Sequence, residues 1–323
     1  MTATLSRPPA SGVYARVSGS RRAKNLTATV FVTLSFLIAL VPLFWLLWTV
    51  VSKGLHVILK SAWWTSTQRN VTLTDSSGGA LHAIVGTLEQ VALCSLISVP
   101  VAILVGVYLV EYGRGPFARI TTFMVDIMTG IPSIVASLFI YALFISTFGG
   151  DRSGYLISLA LVILMVPVII RTTEEMLKLV PDELREASYA LGIPKWKTIV
   201  KVVLPTAFTG LVTGVVLGIA RVAGETAPLL ILVGYAGGMN ANLFASGKFQ
   251  GSLPGMINDQ FANLNQATGG TAYHLDANGN RVMGASHNFA PDRMWGAALT
   301  LILLVLLLNV IARWIGRFNK VAK

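Results

Sequence analysis

Six runs of predominantly apolar residues, 26–51, 82–112, 119–148, 155–171, 205–235 and 294–315, take up most of this chain. A helix needs about 20 such residues to cross a hydrocarbon core, with a working range of roughly 17–25. Lipid offers backbone groups no hydrogen-bond partners, so runs of this length fold as helices there. Only 12% of the residues are charged and the mean hydropathy is +0.69, against roughly 25% charged in an average soluble domain. The chain is therefore expected to be an all-α integral membrane protein with six transmembrane helices.

A net charge of +11 would suit nucleic acid, but its distribution answers to the membrane. With the N-terminus placed inside, seventeen Lys and Arg residues fall on inner segments, from Arg7 and Arg16 to Lys320 and Lys323. Seven fall outside: Lys53, Lys60, Arg69, Arg152, Lys248, Arg281 and Arg293. Such asymmetry orients a membrane protein, so both termini are expected on the cytoplasmic side, and no nucleic-acid partner is implied.

The runs delimit the remaining parts. Residues 1–25 read as a flexible cytoplasmic tail and 316–323 as a second one, with the first helix at 26–51. That first run is too long for a signal peptide and lacks a small-residue cleavage site, so it reads as a retained anchor. Residues 52–81 form an external segment whose Trp63-Trp64 pair suits the headgroup level. A second external segment, 236–293, is rich in Gly and Asn, with a hairpin turn expected at Asn278-Gly279. It reads either as a surface for a soluble external partner or as an insertion. Cys94 reads as a buried thiol, the four histidines as solvated or interfacial, and no phosphate-loop motif is present.

The inner loop 172–203 is the longest charged, helix-patterned segment on that side. Thr172 with Glu175 fits a capping box opening one short helix. Pro181, Asp182 and Glu183 suit the start of another, closed by Gly192 and Pro194. In that second helix Leu184, Ala187, Ser188 and Leu191 share a small, apolar face beside Asp182, Glu183, Arg185 and Glu186. Such a face fits a partner's groove, and equally a packing site on its own protein.

Spacing narrows the choice. Glu186-Ala187-Ser188, Gly192, Val202 and Leu204-Pro205 resemble, interval by interval, the EAA loop of ABC importer permeases, with Ser for the second Ala and Val for Ile. The resemblance covers about 82–315 and implies the type I ABC importer permease fold. It further implies that Glu186, Ala187, Ser188, Leu191 and Gly192 couple the chain to an ATPase. GIPSIVASLFIY (130–141), PVIIRTTEEML (167–177) and RVAGETAPLL (221–230) are similar to the A-type permeases of phosphate-specific transport systems. That family implies a heterodimer with a homologous C-type permease, two nucleotide-binding ATPase subunits and an external phosphate-binding protein. ATP and Mg would be used by the ATPase partner, with no cofactor and no metal bound by this chain, which would be a transport subunit and no enzyme itself.

Independently of family, Glu89, Asp126, Arg221 and Glu225 lie well inside apolar runs. A charge at the bilayer centre costs ~3 kcal/mol on insertion scales, so each should face a cavity or a partner. Arg221 and Glu225 are four residues apart and would share a helix face, as a structural ion pair or as an anion contact with its partner. Gly210, Gly214 and Gly218 lead up to them at spacings of four, a ridge for close packing or gating. Gly224 and Pro228 are expected to loosen the helix around the pair. Asp126, Thr129, Ser133 and Ser137 fall in register along the third run, a polar stripe if the run is one helix, although hydroxyls also satisfy themselves on the preceding turn.

These groups suit an oxyanion: a guanidinium presents paired donors, and a carboxylate accepts the proton that monohydrogen phosphate carries and sulfate lacks. Inorganic phosphate is the substrate that the family resemblance of 130–141 and 221–230 implies. A sulfate or molybdate permease of the same fold is the first alternative. A proton-coupled secondary transporter using Glu89, Asp126 and Glu225 as a relay is the second.

Overall fold

A computed structural model describes residues 19–264, 271–275, 281–285 and 287–318. The contacts divide the chain at Thr49, with residues up to 49 as one unit and residues from Val50 as another. The first unit holds most of helix α1 (Gly19–Ile58), whose best window is as apolar as a membrane span requires.

In the second unit, α2 (Ser61–Thr65) precedes α3 (Leu81–Val107), which runs on as a wider π-type turn over Tyr108–Tyr112. Then come α4 (Pro116–Thr129) and α5 (Ser133–Ile140), the latter continued by a second wide turn to Thr147. Next, α6 (Gly154–Lys178), α7 (Asp182–Ala190) and α8 (Lys195–Thr198) lead into α9 (Leu204–Ala223) and α10 (Ala227–Leu232). Finally α11 (Leu253–Ala262), strands β1 (Thr271–Leu275) and β2 (Arg281–Ala285), and α12 (Ala290–Phe318) complete the order.

Among the described residues, five helices are long and apolar enough to cross a membrane, and α4 with α5 reaches that length and composition only as a pair, bent by 106°. The six expected runs are thus present, but two are not single helices. The third breaks at 130–132, because Gly130 closes α4 and Pro132, which lacks an N–H, disfavours helical geometry at the residue before it. The fifth ends at Ala223 and lies further toward the N-terminus, its continuous apolar helix starting at Lys195.

Helix α6 is central, with 67% of its apolar window buried. It packs on α3, α4, α5 and α9 around a core of Cys94, Ala102, Val125, Ile157, Met165 and Leu229. The glycines of α9 allow its close approach. A Cβ on Gly214 would lie 2.7 Å from Thr172 Cβ, while Gly210 faces Met176 and Gly218 faces Ile169. Thr172 opens no new helix: α6 continues through it, and its hydroxyl donates to the Val168 and Ile169 carbonyls at 3.0 and 3.1 Å. Nothing in the sequence from Val168 to Lys178 breaks a helix, so the capping-box pattern there is incidental.

The segment 236–264 is no loose loop. Gln250 is fully buried, donates to Glu89 Oε2 at 2.8 Å and accepts from Gln90 at 3.0 Å. Leu253 N–H donates to the Thr87 hydroxyl at 2.8 Å, and a Cβ on Gly86 would strike the Gly251 carbonyl. Helix α11, capped by Ser252, packs on α3 and α12. Trp63 belongs to this second core with Ala83, Leu253, Met256 and Ala297. It is 2% exposed and donates to the Thr300 hydroxyl at 2.9 Å, so it is not a headgroup anchor. Trp64, half open, bonds to the Ile58 carbonyl. Strands β1 and β2 pair antiparallel with Leu275 opposite Arg281, and the expected Asn278-Gly279 turn lies outside the described residues.

Candidate functional site

The structure places the expected site residues in three features. At the first, α9 closes in a tight turn, with Gly224 N–H on the Arg221 carbonyl and Glu225 N–H on the Val222 carbonyl. Gly224 is a poor helix former, and Pro228 at the start of α10 cannot return a hydrogen bond to its carbonyl. The chain therefore breaks over 224–226, earlier than the proline alone would predict. Arg221 and Glu225 do not share a continuous helix face, and no ion pair joins them. Arg221 is exposed and Glu225 half-buried, so the structural ion-pair reading loses its geometry. The Arg221 guanidinium stands exposed near the end of α9.

The second feature is the break at 130–132, and the helices that follow the two breaks, α5 and α10, pack against each other. Open helix ends leave backbone N–H and carbonyl groups without intrahelical partners. At membrane depth such backbone is tolerated only where it is covered by protein or lines water.

The third feature corrects the expected polar stripe. Asp126 and Thr129 sit on α4 while Ser133 and Ser137 sit on α5, so the 106° bend takes them out of register. Asp126 pairs instead with Arg171 of α6, which also binds Glu174 at 2.7 Å, itself bonded to Lys178 at 2.8 Å. The Thr129 and Ser137 hydroxyls each donate to the carbonyl four residues back at 2.8 Å. Ser137 is fully buried, Ser133, at the first position of α5, is half-open at the break, and Thr129, the last residue of α4, is exposed. The carboxylates of the relay reading are likewise apart: Glu89 is held by Gln250 and Asp126 by Arg171.

Two cavities flank this region. One of about 620 Å³ lies between Ala220, Gly224 and the α12 residues Leu301, Val305 and Asn309. Its wall is mostly apolar, which suits a helix or an acyl chain better than an oxyanion. The other, about 530 Å³, is polar and lined by Gln68, Tyr235, Asp259, Gln260, Asn263 and Arg293. Burial pushes the Asp259 carboxyl above its ordinary range, opposed by the Gln260 amide. Arg293 is 5% exposed and spends its guanidinium on the Thr72, Asp75 and Ser77 carbonyls.

The loop 179–203 carries the residues expected to meet an ATPase. Helix α7 ends where Gly192 adopts φ +74°, a left-handed conformation that glycine enters without a Cβ penalty. Ile193 N–H then reaches the Ser188 carbonyl at 3.2 Å and Gly192 N–H the Tyr189 carbonyl at 2.9 Å, the bonding of a Schellman cap. Glu186, Ala187 and Leu191 are exposed, Leu191 at 80%. Ser188 differs from the rest: it is buried and bonds to the Thr198 hydroxyl at 2.8 Å, joining α7 to α8. It faces the chain's own interior, not an open surface where a partner would meet it.

Comparison with known proteins agrees with this geometry. Residues 98–320 match the family described as "Binding-protein-dependent transport system inner membrane component". The chain is 49% identical to the "Phosphate transport system permease protein PstA" of Mycobacterium leprae (strain TN), over 95% of this chain and 93% of that protein. It is 46% identical to "Phosphate transport system permease protein PstA 1" of Mycobacterium tuberculosis (strain ATCC 25618 / H37Rv), over 96% and 93%. In fold it is similar to a chain from the crystal structure of a bacterial ABC transporter involved in the import of the acidic polysaccharide alginate. That likeness has a TM-score of 0.58 and 14% identity, covering 94% of this chain and 98% of that one.

Proposed function

The chain belongs to the family of binding-protein-dependent transport system inner membrane components, among the PstA permeases, and on that premise we propose that it carries inorganic phosphate through an ATP-driven importer. The observation that carries the reading is identity of 46–49% over nearly the whole chain to relatives named as phosphate transport permeases. In this reading the chain is half of a pore in a bacterial cytoplasmic membrane, with both termini inside, and a homologous C-type permease supplies the other half. An external phosphate-binding protein delivers the anion, two ATPase subunits use ATP and Mg, and one of them docks on the exposed face of α7.

The geometry suggests how the chain's own residues act. Arg221, exposed beside the α9 break, offers paired N–H donors to phosphate oxygens. Glu225, held on the break itself, is placed to accept the proton of monohydrogen phosphate. Ser133, at the α5 break, adds a neutral donor. Glu186 and Leu191 form the ATPase contact, while Gly210, Gly214 and Gly218 let α9 seat on α6. The reconstituted complex tests the substrate: phosphate-loaded binding protein should raise ATP hydrolysis several-fold while sulfate leaves it at the basal rate. Equal stimulation by both anions would point to a general oxyanion permease instead.

A further inference from the structure

We infer that Arg185 is a positioning residue that, with Glu111, locks the docking helix α7 to the ends of two membrane helices, so that movement of α7 reaches α3 and α6 together. The inference rests on the reading that α7 receives the ATPase. Arg185 makes four contacts with its guanidinium. Nε donates to Glu111 Oε1 at 3.1 Å, Nη2 to the Leu177 carbonyl at 2.9 Å, and Nη1 to the Val180 carbonyl at 2.6 Å and to Asp182 Oδ1 at 3.0 Å. Glu111 lies in the wide turn that ends the α3 span, Leu177 stands in the last turn of α6, and Val180 lies just past its C-cap, Leu179. One planar cation thus caps the negative end of α6 and grips α3 through a carboxylate.

The pair is built for rigidity rather than for surface charge. The Arg185 side chain is 13% exposed and that of Glu111 5%, whereas Asp182 is 86% exposed. An exposed pair contributes little, but breaking a buried one leaves a charge without a partner. A second cation closes the same joint: Lys195, at the start of α8, donates to the Glu111 carbonyl and sits 4.7 Å over the Tyr112 ring. Behind the docking face, the bond between Ser188 and Thr198 ties α8 to α7. The outer side of α7 stays free for the ATPase, and its inner side is fastened to α3 and α6.

The test uses the full importer in proteoliposomes and reads phosphate moved per ATP hydrolysed at equal amounts of assembled complex. Arg185→Ala and Glu111→Ala should each lower that ratio about tenfold with ATP hydrolysis largely kept, and the double variant should be no worse than either single one. Arg185→Lys should retain an intermediate ratio, because an ammonium still reaches one or two of the four acceptors. If the alanine variants fail to assemble, Arg185→Lys and Glu111→Gln decide, again with a lowered ratio expected. An unchanged ratio in any assembled variant overturns the inference. An unmodified complex that phosphate does not stimulate would instead overturn the phosphate-permease reading on which it stands.

Discussion

Replacing Arg221 with alanine should lower phosphate uptake by roughly 100-fold or more while the importer still assembles and keeps its basal ATP hydrolysis. Hydrogen bonds to a charged group contribute about 1.5–3 kcal/mol each, and a bidentate contact supplies two, at about 1.4 kcal/mol per tenfold. Assembly should survive because Arg221 is exposed at the end of α9 and joins no ion pair among the described residues. Arg221→Lys should recover only part of the uptake, since an ammonium restores the charge without the planar fork. The check is initial-rate uptake of labelled phosphate beside a measure of assembled complex. Normal uptake in Arg221→Ala would remove the anion contact from the account.

The second large effect belongs to the docking face. Leu191 is 80% exposed at the end of α7, just before the Gly192 turn. Covering a leucine stabilises a contact by about 1.5–3 kcal/mol, and a carboxylate in its place must be stripped of water at a cost of several kcal/mol. Leu191→Asp is therefore expected to weaken ATPase association at least ~100-fold, and Leu191→Ala about tenfold. The permease itself should stay as stable as the unmodified chain, because so exposed a side chain contributes little to its own fold. Co-purification of the ATPase subunits measures the first effect and thermal unfolding of the isolated chain the second. Full ATPase recovery with Leu191→Asp would move the docking face elsewhere.

Much of the architecture could be read from residue order because lipid imposes a length and a composition on every span. The EAA spacing likewise located α7, since Gly192 and the prolines on either side act locally. What escaped was of two kinds. Breaks inside apolar runs were hidden by hydropathy: Gly130 and Pro132 bend one run by 106°, and Gly224 with Pro228 ends another. The stripe drawn through Asp126, Thr129, Ser133 and Ser137 failed for that reason alone. Partnerships far apart in sequence were the other kind, such as Arg171 with Asp126, Arg185 with Glu111 and Gln250 with Glu89. Arg171 and Arg185 were legible as inner-side charges but not as the holders of α4 and α7. Trp63 shows the same gap: a tryptophan pair beside an apolar run suits an interface, yet one ring is enclosed by residues from α3, α11 and α12.

The most direct measurement is uptake of labelled phosphate into proteoliposomes holding the permease pair, with the ATPase subunits, ATP and Mg enclosed or supplied on their side and the loaded binding protein on the other. An ATP-driven phosphate importer should show uptake that requires ATP, is unaffected by a protonophore and falls to background in Arg221→Ala. Uptake that continues without ATP and collapses with the protonophore would contradict that reading, and would return Glu89, Asp126 and Glu225 to the role of a proton relay.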